Sequence, residues 1–214
     1  AAYQHSGAHD TLEPLLSTAT VHRWSQFTPN PTLAELENGV LKYRACTPDV
    51  VIAIGGGTAL DLGKLISFYG EQTIPCREMI LSPPTNTLDP IPLVAIPTTS
   101  GTGSETTQFA VIYVDGEKHS VADPRIRPPQ IVLDPTLTAN MPAALTANTG
   151  LDAFCQGIES MWSVQSTVES REYAQQAIFL AWNHLSSAVH QPTPQSRQGM
   201  SQAAFHSGQA INIS

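Results

Sequence analysis

The sequence predicts an α/β fold, a Rossmann-like parallel-sheet domain over residues 1–140 followed by an all-helical domain over residues 141–214. Three observations carry this. "DVVIAIGGG", "PLVAIPTT" and "PQIVLDP" are short apolar runs closed by Pro, Gly or Asp, the form of strands buried on both faces of a parallel sheet. Segments with helical spacing lie between them, as strand-helix-strand crossovers require. Beyond about residue 135 the strand signal stops, and the remaining segments read as helix.

The elements run in order along the chain. "PTLAELENGVLKYRAC" repeats Leu33, Leu36, Val40 and Tyr43 at helical spacing, with Thr32 placed to cap it. "TALDLGKLISFYG" starts directly after three glycines and stops at Gly70. "LSPPTNTLDPIP" is a surface loop whose prolines restrict its freedom. "FAVIYVDGEKHSVAD" forms a hairpin about Asp115-Gly116. In the helical part, "LTANTGLDAFCQGIESMW" is a first helix. "STVESREYAQQAIFLAWNHLSSAVH" opens with Ser166 three residues before Glu169, the pattern of a capping box. "TPQSRQGMSQAAFHSGQAINIS" sets Pro194 in a first turn ahead of apolar Met200, Ala203, Ala204 and Ile211.

Composition narrows the function. Ten Lys and Arg against eighteen Asp and Glu give a net charge of −8, which argues against a nucleic-acid surface. No apolar run approaches the roughly 20 residues that span a bilayer, and the N-terminus lacks a signal-peptide pattern, so the expectation is a cytoplasmic protein without membrane contact. Cys46, Cys76 and Cys155, odd in number and widely spaced, suit reduced thiols rather than a disulfide framework or a zinc cluster.

The chemistry concentrates in three places. Gly55, Gly56 and Gly57 end a strand and open a helix, so backbone N–H groups can face an anion; a tight turn that binds nothing is an equal reading of three glycines alone. Asp61 and Lys64, on the next turns, read singly as solvated or capping side chains. "AIPTTSGTGSETT", residues 95–107, adds hydroxyls from Thr98, Thr99, Ser100, Thr102 and Ser104 and backbone N–H groups at Gly101 and Gly103. Two such loops at the same ends of parallel strands make a crevice for a dinucleotide. Asp152 and Gln156 lie four residues apart on one helix face, where an oxygen from each can hold a divalent metal or make an ordinary polar contact. His5, His9, His22 and His119 lie outside this helical region, and His184, His190 and His206 show no HxxxH spacing, so each reads as a surface or packing residue.

Taken together, "PNPT", "GGGTALDLGK", "PLVAIPTTSGTGSETT" and "VLDPTLTANMPAALTANTGLDAFCQGIES" resemble the iron-containing alcohol dehydrogenase family, whose fold is the dehydroquinate synthase-like pairing of α/β and helical domains. The likeness runs from about residue 21 to the end. It implies that Gly55, Gly56, Gly57 and Thr58 form the pyrophosphate loop and that Asp61 and Lys64, on its following helix, also belong to the cofactor-binding residues. By the same likeness Thr98, Thr99, Thr102 and Ser104 form the second cofactor loop, and Lys118 and Leu137 also touch the cofactor. Asp152 matches the first metal ligand. The implied protein is a homodimer catalysing reversible hydride transfer between NAD(P)H and a small aldehyde or alcohol, with Fe2+ or Zn2+ polarising the carbonyl.

The chain departs from the family pattern at several points. Gln156 stands where the second ligand is usually a histidine, which favours iron or zinc less. Ser25 falls near the aspartate that many members carry after the second strand, so NADPH is admitted beside NADH. The resemblance also implies truncation at both ends, without the first strand and without two further histidine ligands beyond Ser214, and therefore apolar helix surface left exposed. "FCQGIESMWSVQSTVES" and "GQAINIS" are similar to a narrower branch that includes phosphonoacetaldehyde reductases and tolerates Gln at position 156. Two rivals keep the fold: a non-catalytic dinucleotide-binding remnant, and a different reaction as in glycerol dehydrogenase or dehydroquinate synthase. "SGTGSE" and "LDP" favour the alcohol dehydrogenase branch, by analogy of fold.

Overall fold

Two sheets and a helical layer organise the computed structural model, which describes residues 2–214. Two short helices, α1 (Ala2–His5) and α2 (Ala8–Leu15), come first. The helix α3 (Leu33–Cys46) is next, then β1 (Val51–Gly55), α4 (Gly57–Tyr69), α5 (Cys76–Leu81) and β2 (Leu93–Pro97). The hairpin β3 (Phe109–Val114) and β4 (Glu117–Ala122) precedes β5 (Gln130–Ile131), and α6 (Ala143–Trp162), α7 (Val168–His190) and α8 (Pro194–Ile213) complete the chain.

Local chemistry explains why each element starts where it does. At α3 the Thr32 hydroxyl accepts from the Glu35 N–H at 3.3 Å while the Glu35 carboxylate accepts from the Thr32 N–H at 2.7 Å, a reciprocal capping box. Leu36, Val40 and Tyr43 then bury one face against Leu62, Leu65 and Ile66 of α4. Strands β1 and β2 pair in parallel from Val51↔Leu93 to Gly55↔Pro97, so their C-terminal ends lie side by side. Asp115 and Gly116 both take positive φ (52° and 84°), the requirement of a tight hairpin turn matched to strand twist.

Several expectations give way here. The parallel sheet has the order β1-β2-β5, and β1 lies at its edge, leaving Ile52 38% exposed instead of covered on both faces. "PQIVLDP" contributes only two paired residues, opposite Val94 and Ala95. The segment leading to Ser25 pairs with no strand among the described residues, because its backbone has no ladder partner there. Helices α1, α2 and α5 have no counterpart in the pattern read from the sequence. The box at the start of α7 is Thr167 with Ser170, whose side chains and N–H groups pair at 3.0 and 2.8 Å, in place of Ser166 with Glu169. Glu169 instead occupies the first turn, where its charge suits the helix dipole.

The last three helices pack through small residues. Ala174, Ala177, Ala181, Ala188, Ala203 and Ala204 are buried and let the helix backbones approach closely. Large apolar side chains also lie on their outer faces: Leu151, Trp162, Phe179 and Trp182 are 52%, 82%, 66% and 76% exposed. Among the described residues no helix is long and apolar enough to cross a membrane.

Candidate functional site

The two loops read from the sequence meet at the C-terminal ends of β1 and β2. The Thr98 N–H donates to the Gly55 carbonyl at 2.9 Å. A Cβ on Gly56 would stand 3.1 Å from the Thr99 hydroxyl, and one on Gly57 would stand 3.0 Å from the Thr102 methyl. Glycine is therefore what allows the threonines to close over the strand-to-helix turn. No side chain caps α4 at Gly56, so first-turn N–H groups of a 13-residue helix open beside Thr58, Thr99 and Thr102. Uncapped N–H groups, a helix dipole and neighbouring hydroxyls fit the pyrophosphate of a dinucleotide. Two surface hollows lie elsewhere, one bounded by Thr32, Glu37, Tyr113 and Gly116 and the other by Arg23, Asn38 and Lys42.

Below this cleft Asp61, Lys64 and Ser104 form a buried cluster. The Lys64 ammonium is wholly buried and donates to Ser104 Oγ at 2.8 Å, Thr107 Oγ1 at 3.0 Å and the Phe109 carbonyl at 2.8 Å. Asp61 accepts from the Ser104 hydroxyl at 2.6 Å and from the Val111 N–H at 3.0 Å. Burial lowers the Lys64 pKa to about 8 against the opposing charges of Asp61 and Glu105. Burial likewise raises Asp61, and it pushes Glu105 up to about 7 despite its own N–H and the Lys64 charge.

The second loop is backed by the helices. A Cβ on Gly101 would run into Thr149 of α6, and Gly103, at φ +61°, would place one 2.5 Å from the Ala204 carbonyl of α8. The Ser100 and Ser201 hydroxyls lie 3.0 Å apart. Gly101 and Gly103 are thus buried against helices on their Cα side.

One turn after Thr149, α6 carries Asp152, and Gln156 lies beyond it on the same face. Asp152 is exposed and Gln156 half-buried. Partial desolvation raises the Asp152 pKa; the Gln156 amide and the Lys118 charge pull it down, and Glu159 pushes it up. Lys118 of β4 therefore belongs to the surroundings of Asp152. Leu137 is buried with Ala8 and Ile96 behind the end of β2. The Gln156 oxygen accepts from the buried Ser207 hydroxyl at 3.1 Å, which also lies 2.9 Å from the Ala204 carbonyl. Asp152 and Gln156 fit part of a coordination sphere, two oxygen donors on one face suited to a hard or borderline cation. Among the described residues no three His, Cys, Asp or Glu side chains gather as a metal cluster.

Sequence reasoning missed Thr107, Glu105, Thr149, Ser201 and Ser207. Thr149, Ser201 and Ser207 reach the site from distant parts of the chain, Ser207 meeting Gln156 across 51 residues, while Glu105 and Thr107 lie within the loop itself but are buried by partners far along the chain, which no local pattern marks.

Comparison with known proteins gives a consistent result. A sequence model described as iron-containing alcohol dehydrogenase matches residues 2–135. Phosphonoacetaldehyde reductase of Streptomyces viridochromogenes is 36% identical over 213 residues, covering 95% of this chain and 53% of that protein. A 1-propanol dehydrogenase of Salmonella typhimurium is 34% identical over 188 residues, covering 86% and 47%. Sulfoacetaldehyde reductase from Bifidobacterium kashiwanohense, solved in complex with NAD+, superposes with a TM-score of 0.93 at 28% identity, over 99% of this chain and 57% of that one. An iron-containing alcohol dehydrogenase from Thermotoga maritima gives 0.91 at 27% identity, over 100% and 59%. The chain spans about half the length of the relatives it matches.

Proposed function

The chain belongs to the iron-containing alcohol dehydrogenase family, and from that premise we propose that it carries the dinucleotide site and the first metal ligands of a reductase that interconverts a small aldehyde and its alcohol with NAD(P)H. The observation that carries this is the contact of Gly56 and Gly57 with Thr99 and Thr102 at the uncapped start of α4. Gly55, Gly56, Gly57 and Thr58 receive the pyrophosphate there. Thr98, Thr99 and Thr102 line the facing wall, while Lys118 and Leu137 flank it. Both NADH and NADPH suit this arrangement, since Ser25 carries no charge to repel a 2′-phosphate.

Asp152 and Gln156 would hold Fe2+ or Zn2+ as part of its coordination sphere. The metal's contribution when bound is Lewis-acid polarisation of the carbonyl oxygen. The chain's own residues bind the dinucleotide across the loops and, through α6, set the Asp152 carboxylate beside the second of them. A bound NAD(P)H would supply the hydride for the carbonyl carbon, with a proton for the oxygen completing the alcohol. One relative is named for phosphonoacetaldehyde and one neighbour for sulfoacetaldehyde, both two-carbon aldehydes with an anionic head, so phosphonoacetaldehyde is the first substrate to test. A second reading, dinucleotide binding without chemistry, is supported by the engagement of the Gln156 oxygen by Ser207.

Titration with NADH and NADPH, with Zn2+ content measured in parallel, tests the proposal. Gly56→Val is expected to abolish dinucleotide binding and leave metal content unchanged, and Asp152→Ala to do the reverse. Normal binding in Gly56→Val refutes the glycine-loop assignment. In a chain of the relatives' length, NADPH oxidation with phosphonoacetaldehyde separates the two readings: binding with no turnover favours the second.

A further inference from the structure

We infer that Asp61 and Lys64 are positioning residues, a buried clamp that fixes the shape of the 98–107 loop and of β3 without touching the dinucleotide. This rests on the dinucleotide reading for its functional meaning, but the geometry stands independently. An ammonium has three N–H donors, and all three of Lys64 are matched by protein acceptors: Ser104, Thr107 and the Phe109 carbonyl. Both Asp61 oxygens are likewise engaged, one by the Ser104 hydroxyl and the other by the Val111 N–H. Lys64 is inaccessible to solvent and the Asp61 side chain is only 14% exposed, so neither has a free group to offer a ligand in the cleft above.

The connectivity shows what the clamp controls. Lys64 and Asp61 stand on α4, the helix that the glycine loop opens. Ser104 and Thr107 bracket the 3-10 turn Ser104–Thr106 at the end of the second loop, and Phe109 and Val111 begin the hairpin that bears Lys118. Ser104 is the central link: its oxygen accepts from Lys64 while its proton goes to Asp61. Its N–H in turn donates to the Thr102 hydroxyl at 3.3 Å, so the clamp reaches the threonine that closes on Gly57. Three segments assigned to cofactor binding are thereby tied to one charge, and a loop held so firmly presents its hydroxyls without being ordered by the ligand.

Lys64→Met, which keeps the stem and removes the charge, tests this with two readouts. In the cofactor-free chain, amide exchange at residues 102–111 is expected to quicken at least tenfold; unchanged exchange overturns the clamp. NADPH affinity is expected to weaken about tenfold by the same factor at low and high ionic strength, because no cation–phosphate contact has been lost. If the loss instead shrinks as salt is added, Lys64 touches the phosphates and the inference fails. Ser104→Ala should reproduce most of the effect, and the double variant should be little worse than either single one; multiplying losses would overturn the shared network. Should Lys64→Met not fold, Ser104→Ala and Thr107→Val, each removing one acceptor, decide by the same readouts. A wild-type chain that binds neither NADH nor NADPH refutes the dinucleotide reading, while the exchange measurement still decides the clamp.

Discussion

Gly103→Ala should be one of the most damaging single-methyl changes in the chain, and Gly116→Ala provides its control. Both glycines have positive φ, +61° and +84°, so an added Cβ costs each about 1–2 kcal/mol of backbone strain. They differ in surroundings. Nothing lies within 4 Å of a Cβ on Gly116, whereas one on Gly103 would stand 2.5 Å from the Ala204 carbonyl oxygen and 2.6 Å from the Gly208 Cα. Those neighbours are helix backbone of α8, and they cannot rotate away as a side chain would. Overpacking of this kind costs roughly a further 1–3 kcal/mol, giving Gly103→Ala about 2–5 kcal/mol in all. Urea unfolding of the three proteins, followed by circular dichroism, measures the difference, with slopes compared to verify a single transition. Equal midpoints for the two variants would refute the claim that the second loop is wedged against α8.

Further outcomes come from the same structure. Burial raises Glu105 from its ordinary 4.5 to about 7, so the folded chain binds more protons than the unfolded one in that window and its stability falls as pH rises through it. At about 1.4 kcal/mol per pH unit the cost approaches roughly 3 kcal/mol above pH 7; Glu105→Gln should flatten the stability profile between pH 4.5 and 7, and an unchanged slope would place the carboxyl in water. His206, lowered by burial, acts in the opposite sense below its ordinary 6.5, which is why the comparison with the variant is the informative one. Thr167→Ala should cost about 1 kcal/mol in thermal unfolding while Ser166→Ala costs almost nothing; the reverse ranking would restore the cap to Ser166.

The glycine loop, the hairpin and the helix starts at Thr32 and Pro194 are legible in the sequence because each is decided within a few residues: an apolar run ending in Gly, an Asp-Gly pair, a hydroxyl before a helical stripe. The cap of α7 lies one position from where the pattern sets it because Ser166 and Thr167 are adjacent hydroxyls, and Ser170 can complete a box as Glu169 could. Burial is harder to read. "TGSETT" looks like a polar surface stretch, yet Ser104, Glu105, Thr106 and Thr107 are 5%, 2%, 0% and 5% exposed, since Lys64 and α8 reach them from far along the chain. A local pattern reports which side chains can hydrogen-bond; only the packed chain decides whether the partner is a ligand or another residue.

Helix α6 carries Thr149 against Gly101 and, three residues on, the Asp152 carboxylate, a rise of about 4.5 Å along one rigid rod. Whatever holds the second loop in place therefore also sets the carboxylate, and whatever anchors the carboxylate steadies the loop. Such a linkage is reciprocal: whatever factor a bound metal adds to dinucleotide affinity, the dinucleotide must return to metal affinity. The two ligands would then assemble the site cooperatively, though neither shares a side chain with the other.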